Sequence, residues 1–128
     1  MRVLLDTNAL LWWLSDDAAL PASARRVIGR GSNEVLVSAA SAWEITAKVR
    51  LGRLPSGGDL ARDFVGYLSH ARLGQLPVSV EHAARAGLLP GPHKDPFDRM
   101  LIAQAQAENV PIVSNDAALD AYGIRRIW

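Results

Sequence analysis

Short, unbroken apolar runs recur along this chain, and each is followed by a segment with helical spacing. "VLL" (3–5), "VLV" (35–37) and "PIV" (111–113) are continuously apolar rather than alternating. That is how strands covered on both faces read, because neither side of the sheet meets water. Adding the shorter runs gives five candidate strands: Arg2–Leu5, Glu34–Val37, Leu76–Val78, Pro111–Val113 and Ile124–Ile127. Between and after them the spacing predicts helices at Ala9–Leu14, Pro21–Arg30, Ser41–Leu51, Leu60–Ala71, Val80–Leu88, Pro96–Glu108 and Ala117–Tyr122. Strand-then-helix alternation of this kind specifies an α/β fold, a parallel sheet with helices on both faces.

The breakers agree with that reading. Gly52 ends the third helix, "LPSGGD" (54–59) forms a loop, and "LLPGPHKDP" (88–96) runs to a helix start. No linker divides the chain, so a single domain over residues 1–128 is expected, long enough to bury a core. No apolar stretch approaches the roughly 20 residues that cross a bilayer. Asp6 interrupts what would otherwise be the apolar part of a signal peptide. Cysteine is absent, which excludes disulfides, thiolate catalysis and zinc–thiolate sites. A cytoplasmic protein is the expectation. Of the fourteen basic residues only Lys48 and Lys94 are lysine. The groups Arg25-Arg26-Arg30, Lys48-Arg50-Arg53 and Arg125-Arg126 supply arginine forks suited to phosphate, or simply to a solvated surface.

In open parallel sheets, ligands bind beyond the carboxyl ends of the strands. Four acids fall at such junctions: Asp6 after the first strand, Glu44 early in the helix after "EVLVS", Asp98 at the start of "DPFDRMLIAQAQAE", and Asp116 after "PIVSN". Each has a local structural explanation. "SAWE" (41–44) matches a capping box with Ser41 as cap, Asp95 caps the helix that Pro96 opens, and Asn115 or Asp116 caps the last helix. Asp6 likewise suits a helix cap. Taken as a set they describe something else. If the first, second and penultimate strands are neighbours, four carboxylates meet in one crevice, where mutual repulsion forces protonation unless a hard divalent cation relieves it. Such a pocket suits phosphodiester hydrolysis. Thr7 and Ser114 place hydroxyls beside the acids, and Asn8 follows at the helix start.

These residues resemble a known family. "LLDTNALLWWL", the glutamate of "SAASAWEI", "HKDPFDRMLIAQA" and "IVSNDAALDAYGIRRIW" are similar to the PIN-domain ribonucleases, and within them to the VapC toxins of type II toxin–antitoxin systems. The similarity runs essentially end to end, with the four motifs in the family's order. It implies a three-layer α/β/α domain with a five-stranded parallel sheet in the order 3-2-1-4-5. It also implies an endoribonuclease acting on structured RNA of the transfer or ribosomal class, with one or two Mg²⁺ or Mn²⁺ ions. Carried onto this chain, the family's acidic quartet is Asp6, Glu44, Asp98 and Asp116, with Asp6, Asp98 and Asp116 as the metal ligands. Thr7, Asn8, Ser114, Asp95 and Arg99 are the surrounding residues expected to orient water or phosphate or to support the acids. A VapB-like antitoxin is the implied partner and a homodimer the implied assembly.

Three further readings are made from the residues. His93, like His70 and His82, is expected in a loop or capping role, because no two histidines share a ligand spacing. Arg99 has a local structural use or a phosphate contact open to it. Trp12 and Trp13, about 100° apart on a helix, are expected to divide between core and partly exposed surface. Two rival readings keep the fold and change the function: a partner-binding module without catalysis, and a nuclease for structured DNA. A phosphoacceptor receiver domain lacks its acceptor here, since nothing after Leu76–Val78 supplies one.

Overall fold

The computed structural model describes all 128 residues, Met1 to Trp128. The strands are β1 (Arg2–Leu5), β2 (Glu34–Ser38), β3 (Gly74–Leu76), β4 (Ile112–Val113) and β5 (Arg126–Ile127). They form one five-stranded sheet in the order β3-β2-β1-β4-β5, with every pairing parallel. The helices are α1 (Thr7–Leu14), α2 (Ala22–Gly29), α3 (Ala39–Arg50), α4 (Gly58–Arg62), α5 (Phe64–His70), α6 (Val80–Leu88) and α7 (Pro96–Glu108). This is the three-layer α/β/α arrangement expected.

Alternation along the strands sorts the core into two halves. Val3, Leu5, Val35, Val37 and Val113 face one side and pack with Leu10 of α1, Ile28 of α2, Ile45 of α3 and Leu68 of α5. Leu4, Leu36 and Ile112 face the other and pack with Leu101, Ile102 and Ala105 of α7. Neither face of the central strands meets water, which is why their sequences carry no polar alternation. None of the helices is long and apolar enough to cross a membrane.

Several boundaries differ from expectation for identifiable reasons. The single helix expected at Leu60–Ala71 is two, because Asp63 leaves helical backbone (φ −146°, ψ 63°) and its side chain caps α5 through the Gly66 amide. The third strand ends at Leu76 instead of extending to Val78, where Pro77 offers no amide to continue the ladder. Ala117–Tyr122 is a 3₁₀ helix closed by Gly123 at φ 72°, and β5 begins only at Arg126. The tryptophans also depart from expectation. Both Trp12 and Trp13 are half-buried, Trp12 tilted against Trp128 with ring centroids 5.7 Å apart. The exposed tryptophan is Trp43, 68% accessible on α3.

The change with consequences is at α3. Ser38, not Ser41, caps this helix, its hydroxyl accepting from the Ala40 amide at 3.0 Å. The capping box read from "SAWE" is therefore not formed. Glu44 sits in the second turn, too far along to reach the helix start, and its side chain turns inward.

Candidate functional site

The site is assembled by sheet register. Leu5 pairs with Val37 on one side and Val113 on the other, so the residues after β1, β2 and β4 emerge together. Asp6, the residue after β1, is buried and holds two roles at once. Its Oδ1 caps α1 by accepting from the Ala9 amide at 2.7 Å, and it also accepts a hydrogen bond from the Ser114 hydroxyl. Burial raises its pKa, those two hydrogen bonds oppose the shift, and the charges of Asp116 and Glu44 add to it.

Glu44 enters from α3 and is only 6% exposed. Both carboxylate oxygens are engaged: Thr7 donates its hydroxyl to Oε1 at 2.7 Å, and Lys48, one turn on, donates to Oε2 at 2.6 Å. The Ser41 hydroxyl lies 3.0 Å from that of Thr7, completing a buried polar chain. Thr7 and Ser41 are thus not helix caps; they fix the glutamate. Lys48 was grouped from the sequence with surface arginines, and only the inward turn of Glu44 gives it a partner.

Asp98 is the third residue of α7, after the cap Asp95 and Pro96. Asp95 accepts from the Phe97 amide at 2.8 Å and the Asp98 amide at 3.2 Å, which sets the angle at which Asp98 leaves the helix. Burial pushes the Asp98 carboxyl up to about 6, the charges of Asp95, Glu44 and Asp6 push the same way, and His93 opposes them. Asp116 caps the 3₁₀ helix through Ala118, while its own amide donates to the Ser114 hydroxyl at 3.0 Å. Asp6, Glu44 and Asp116 thus each accept a structural hydrogen bond through their carboxylates, whereas Asp98 is placed through its backbone amide. They also lie close enough for Asp6 to feel Asp116 and Glu44, and for Asp98 to feel Glu44 and Asp6.

His93 departs from the loop role expected of it. Its Nε2 lies 3.2 Å from Asp116 Oδ2 and 3.4 Å from Asp98 Oδ2, so the ring faces the acids directly. Of the other histidines, only His82 takes the capping role expected, closing a capping box with Ser79, and His70 is the exposed last residue of α5. Arg99 takes the local one of its two uses. It donates to the carbonyl of His93 at 2.9 Å and to those of Leu89 and Ala86. Asn8 is exposed at the first turn of α1. Each of the three basic groups commits one residue to an ion pair, Arg25 with Asp16, Lys48 with Glu44 and Arg126 with Asp120. Among the rest, Arg26, Arg30, Arg50, Arg53 and Arg125 are exposed.

The donor set fits a divalent cation. It is made of hard carboxylate oxygens whose shared burial raises the pKa of two of them, a cost that a bound ion would relieve. One nitrogen and two oxygens, from His93, Asp98 and Asp116, lie within 4.8 Å of one another.

The PIN domain family model matches residues 3–124. The chain belongs to the PIN-domain family. Within that family it is similar to ribonuclease VapC16 of Mycobacterium tuberculosis, 40% identical over 62 residues. That match covers 48% of this chain and 43% of the relative, less than half of its length. The fold is shared with solved structures across nearly the whole domain. VapBC2 of Rickettsia felis, bound to a promoter DNA fragment, matches with a TM-score of 0.70 at 18% identity, covering 100% of both chains. VapBC-1 of nontypeable Haemophilus influenzae matches with a TM-score of 0.69 at 14% identity, covering 98% of this chain and 96% of its own. FitAcB of Neisseria gonorrhoeae gives 0.61 at 16%, covering 97% and 95%. At these identities the likeness is one of PIN fold.

Proposed function

We propose that this PIN domain is a metal-dependent endoribonuclease, the toxin of a type II toxin–antitoxin pair, acting on structured RNA of the transfer or ribosomal class. The observation that carries the proposal is that Asp6, Glu44 and Asp116, from beyond the ends of β1, β2 and β4, meet Asp98 from the first turn of α7, with the pKa of Asp6 and Asp98 raised. A bound Mg²⁺ or Mn²⁺, one ion or two, would polarise the scissile phosphate and make hydroxide available near neutral pH.

The chain's own residues have distinct parts in this. Asp6, Asp98 and Asp116 hold the ion. Asp6 is immobilised by its helix-capping bond and Ser114, so it needs no reordering on binding. Glu44 is held rigidly by Thr7 and Lys48 and orients the attacking water from the floor of the pocket. Lys48 offsets the charge of Glu44 while staying about half exposed.

The antitoxin is VapB-like, on the analogy of the VapBC structures, and the compartment is the cytoplasm. A homodimer is the proposed assembly, and the main exposed apolar feature is a groove of about 540 Å³ between α3, α6 and α7. Trp43, stacked edge-on against Phe97 at 5.2 Å, and the exposed Val78 lie at that groove, with the exposed Val80 on the same helix as its α6 wall. Light scattering should give twice the 13.8 kDa chain mass, and a monomer at micromolar concentration would refute it.

The biological test is induction in a bacterial host. Wild-type protein should arrest growth, whereas Asp6→Ala and Asp98→Ala should grow at the uninduced rate. Arrest by both variants would sink the metal-pocket reading and favour a non-catalytic binding module.

A further inference from the structure

We propose that His93 supplies an imidazole nitrogen to the ion held by Asp98 and Asp116, and that this gives the site a preference for Mn²⁺ over Mg²⁺. The inference rests on the metal-dependent reading above and adds to it a ligand outside the acidic set. Three observations carry it.

The first is position. Nε2 of His93 is within reach of both carboxylates, 3.2 Å from Asp116 and 3.4 Å from Asp98, in a side chain only 13% exposed. The second is how much of the chain is spent on putting it there. The His93 amide donates to the Tyr122 hydroxyl at 3.0 Å, and Arg99 holds the His93 carbonyl at 2.9 Å and that of Leu89 as well. Gly91 turns the loop at φ 102°, where any Cβ would lie 2.7 Å from the Tyr122 hydroxyl. A histidine needed only to fill a loop would not require a tyrosine, an arginine and a left-handed glycine to fix its backbone. The third is the far side of the ring. Nδ1 is buried with no hydrogen-bond partner. Of the two ring nitrogens only the one facing the acids is engaged. For the Nε2 lone pair to meet an ion the ring proton must sit on Nδ1, and the hydrogen bond from Nε2 to Asp116 is then given up for a bond to the ion.

The metal preference follows from donor chemistry. Carboxylate oxygens suit Mg²⁺ and Mn²⁺ alike, but Mg²⁺ keeps its waters and its oxygen ligands, whereas Mn²⁺, as a transition ion, gives up a water for a nitrogen donor more readily. With carboxylates alone the site would discriminate little. With a nitrogen added, it gains for Mn²⁺ and not for Mg²⁺.

The experiment is electron spin-echo spectroscopy of Mn²⁺ bound to the wild-type protein, with calorimetric titration of Mn²⁺ and Mg²⁺ into wild type, His93→Gln and His93→Ala. The expected result is modulation from a directly bound ¹⁴N in wild type. Mn²⁺ affinity should fall about tenfold or more in both variants, and Mg²⁺ affinity by less than about threefold. The wild-type spectrum decides ligation even if a variant fails to fold. Mn²⁺ bound without nitrogen modulation overturns the His93 assignment and leaves the acidic site standing. Equal losses for the two ions overturn the selectivity. No Mn²⁺ binding by the wild type overturns both this inference and the metal-dependent function.

Discussion

Asp98→Asn should lose at least about a hundredfold in nuclease activity, as expected when an ion's ligand is removed, while melting above the wild type in the absence of divalent ions. The two effects have one cause. The Asp98 carboxyl is pushed up to about 6 from 3.8, so the folded protein holds a proton there that the unfolded chain releases. For a group with a raised carboxyl pKa the sign is destabilising. The native state binds the extra proton between about pH 4 and 6, so stability falls as pH rises through that window. Above it the full penalty persists. At 1.36 kcal/mol per unit, the ceiling is about 3 kcal/mol. Because the side chain is 33% exposed, solvent screening reduces this to about 1–2 kcal/mol. For a domain of this size that corresponds to a rise of roughly 3–8 °C in Tm. The gain should be present at pH 7.5 and vanish near pH 4, as calorimetry at the two values would show. An Asp98→Asn protein that melts below wild type at pH 7.5 would mean the carboxylate is stabilising and the acids do not repel.

Adding ions should reverse this order. The wild type should gain Tm with millimolar Mg²⁺ or Mn²⁺, by about 2.7 kcal/mol at one hundred times the dissociation constant. Asp6→Asn and Asp98→Asn should gain little. The wild-type gain should also be smaller at pH 5 than at pH 7.5, because Asp6 and Asp98, both raised, must lose their protons before they can ligate. Thermal shift at both pH values, with chelator-treated protein free of divalent ions as the reference, checks it. An equal rise in the variants would place the ion elsewhere on the molecule.

Much of the fold is written in local patterns. The bounds of β1, α6 and α7 match expectation to the residue, since continuous burial of a strand, or a cap followed by helical spacing, leaves an unambiguous trace. The start of α3 does not, because "VSAASAWE" contains two serines that could cap, and only the packing of β2 selects Ser38. That choice is what turns Glu44 from a capping residue into a buried acid. Asp6, Asp95 and Asp116 show why local evidence misleads in the other direction: all three do cap, as the sequence suggests, and Asp6 and Asp116 still face the pocket. His93 is the residue least visible in sequence. Its orientation depends on Tyr122, twenty-nine positions away, and on Arg99 from the next helix, and neither contact leaves a periodic signal. Trp43 was equally hidden, since its exposure follows from the inward turn of its neighbour.

The most direct test of the acidic pocket as a nuclease centre is cleavage of structured RNA by purified protein, with Mg²⁺ or Mn²⁺, with a chelator, and with Asp6→Ala in place of wild type. The account predicts discrete cleavage products from wild type with the ion, none with the chelator, and none from the variant. Cleavage that survives the chelator, or that Asp6→Ala performs at the wild-type rate, would contradict it.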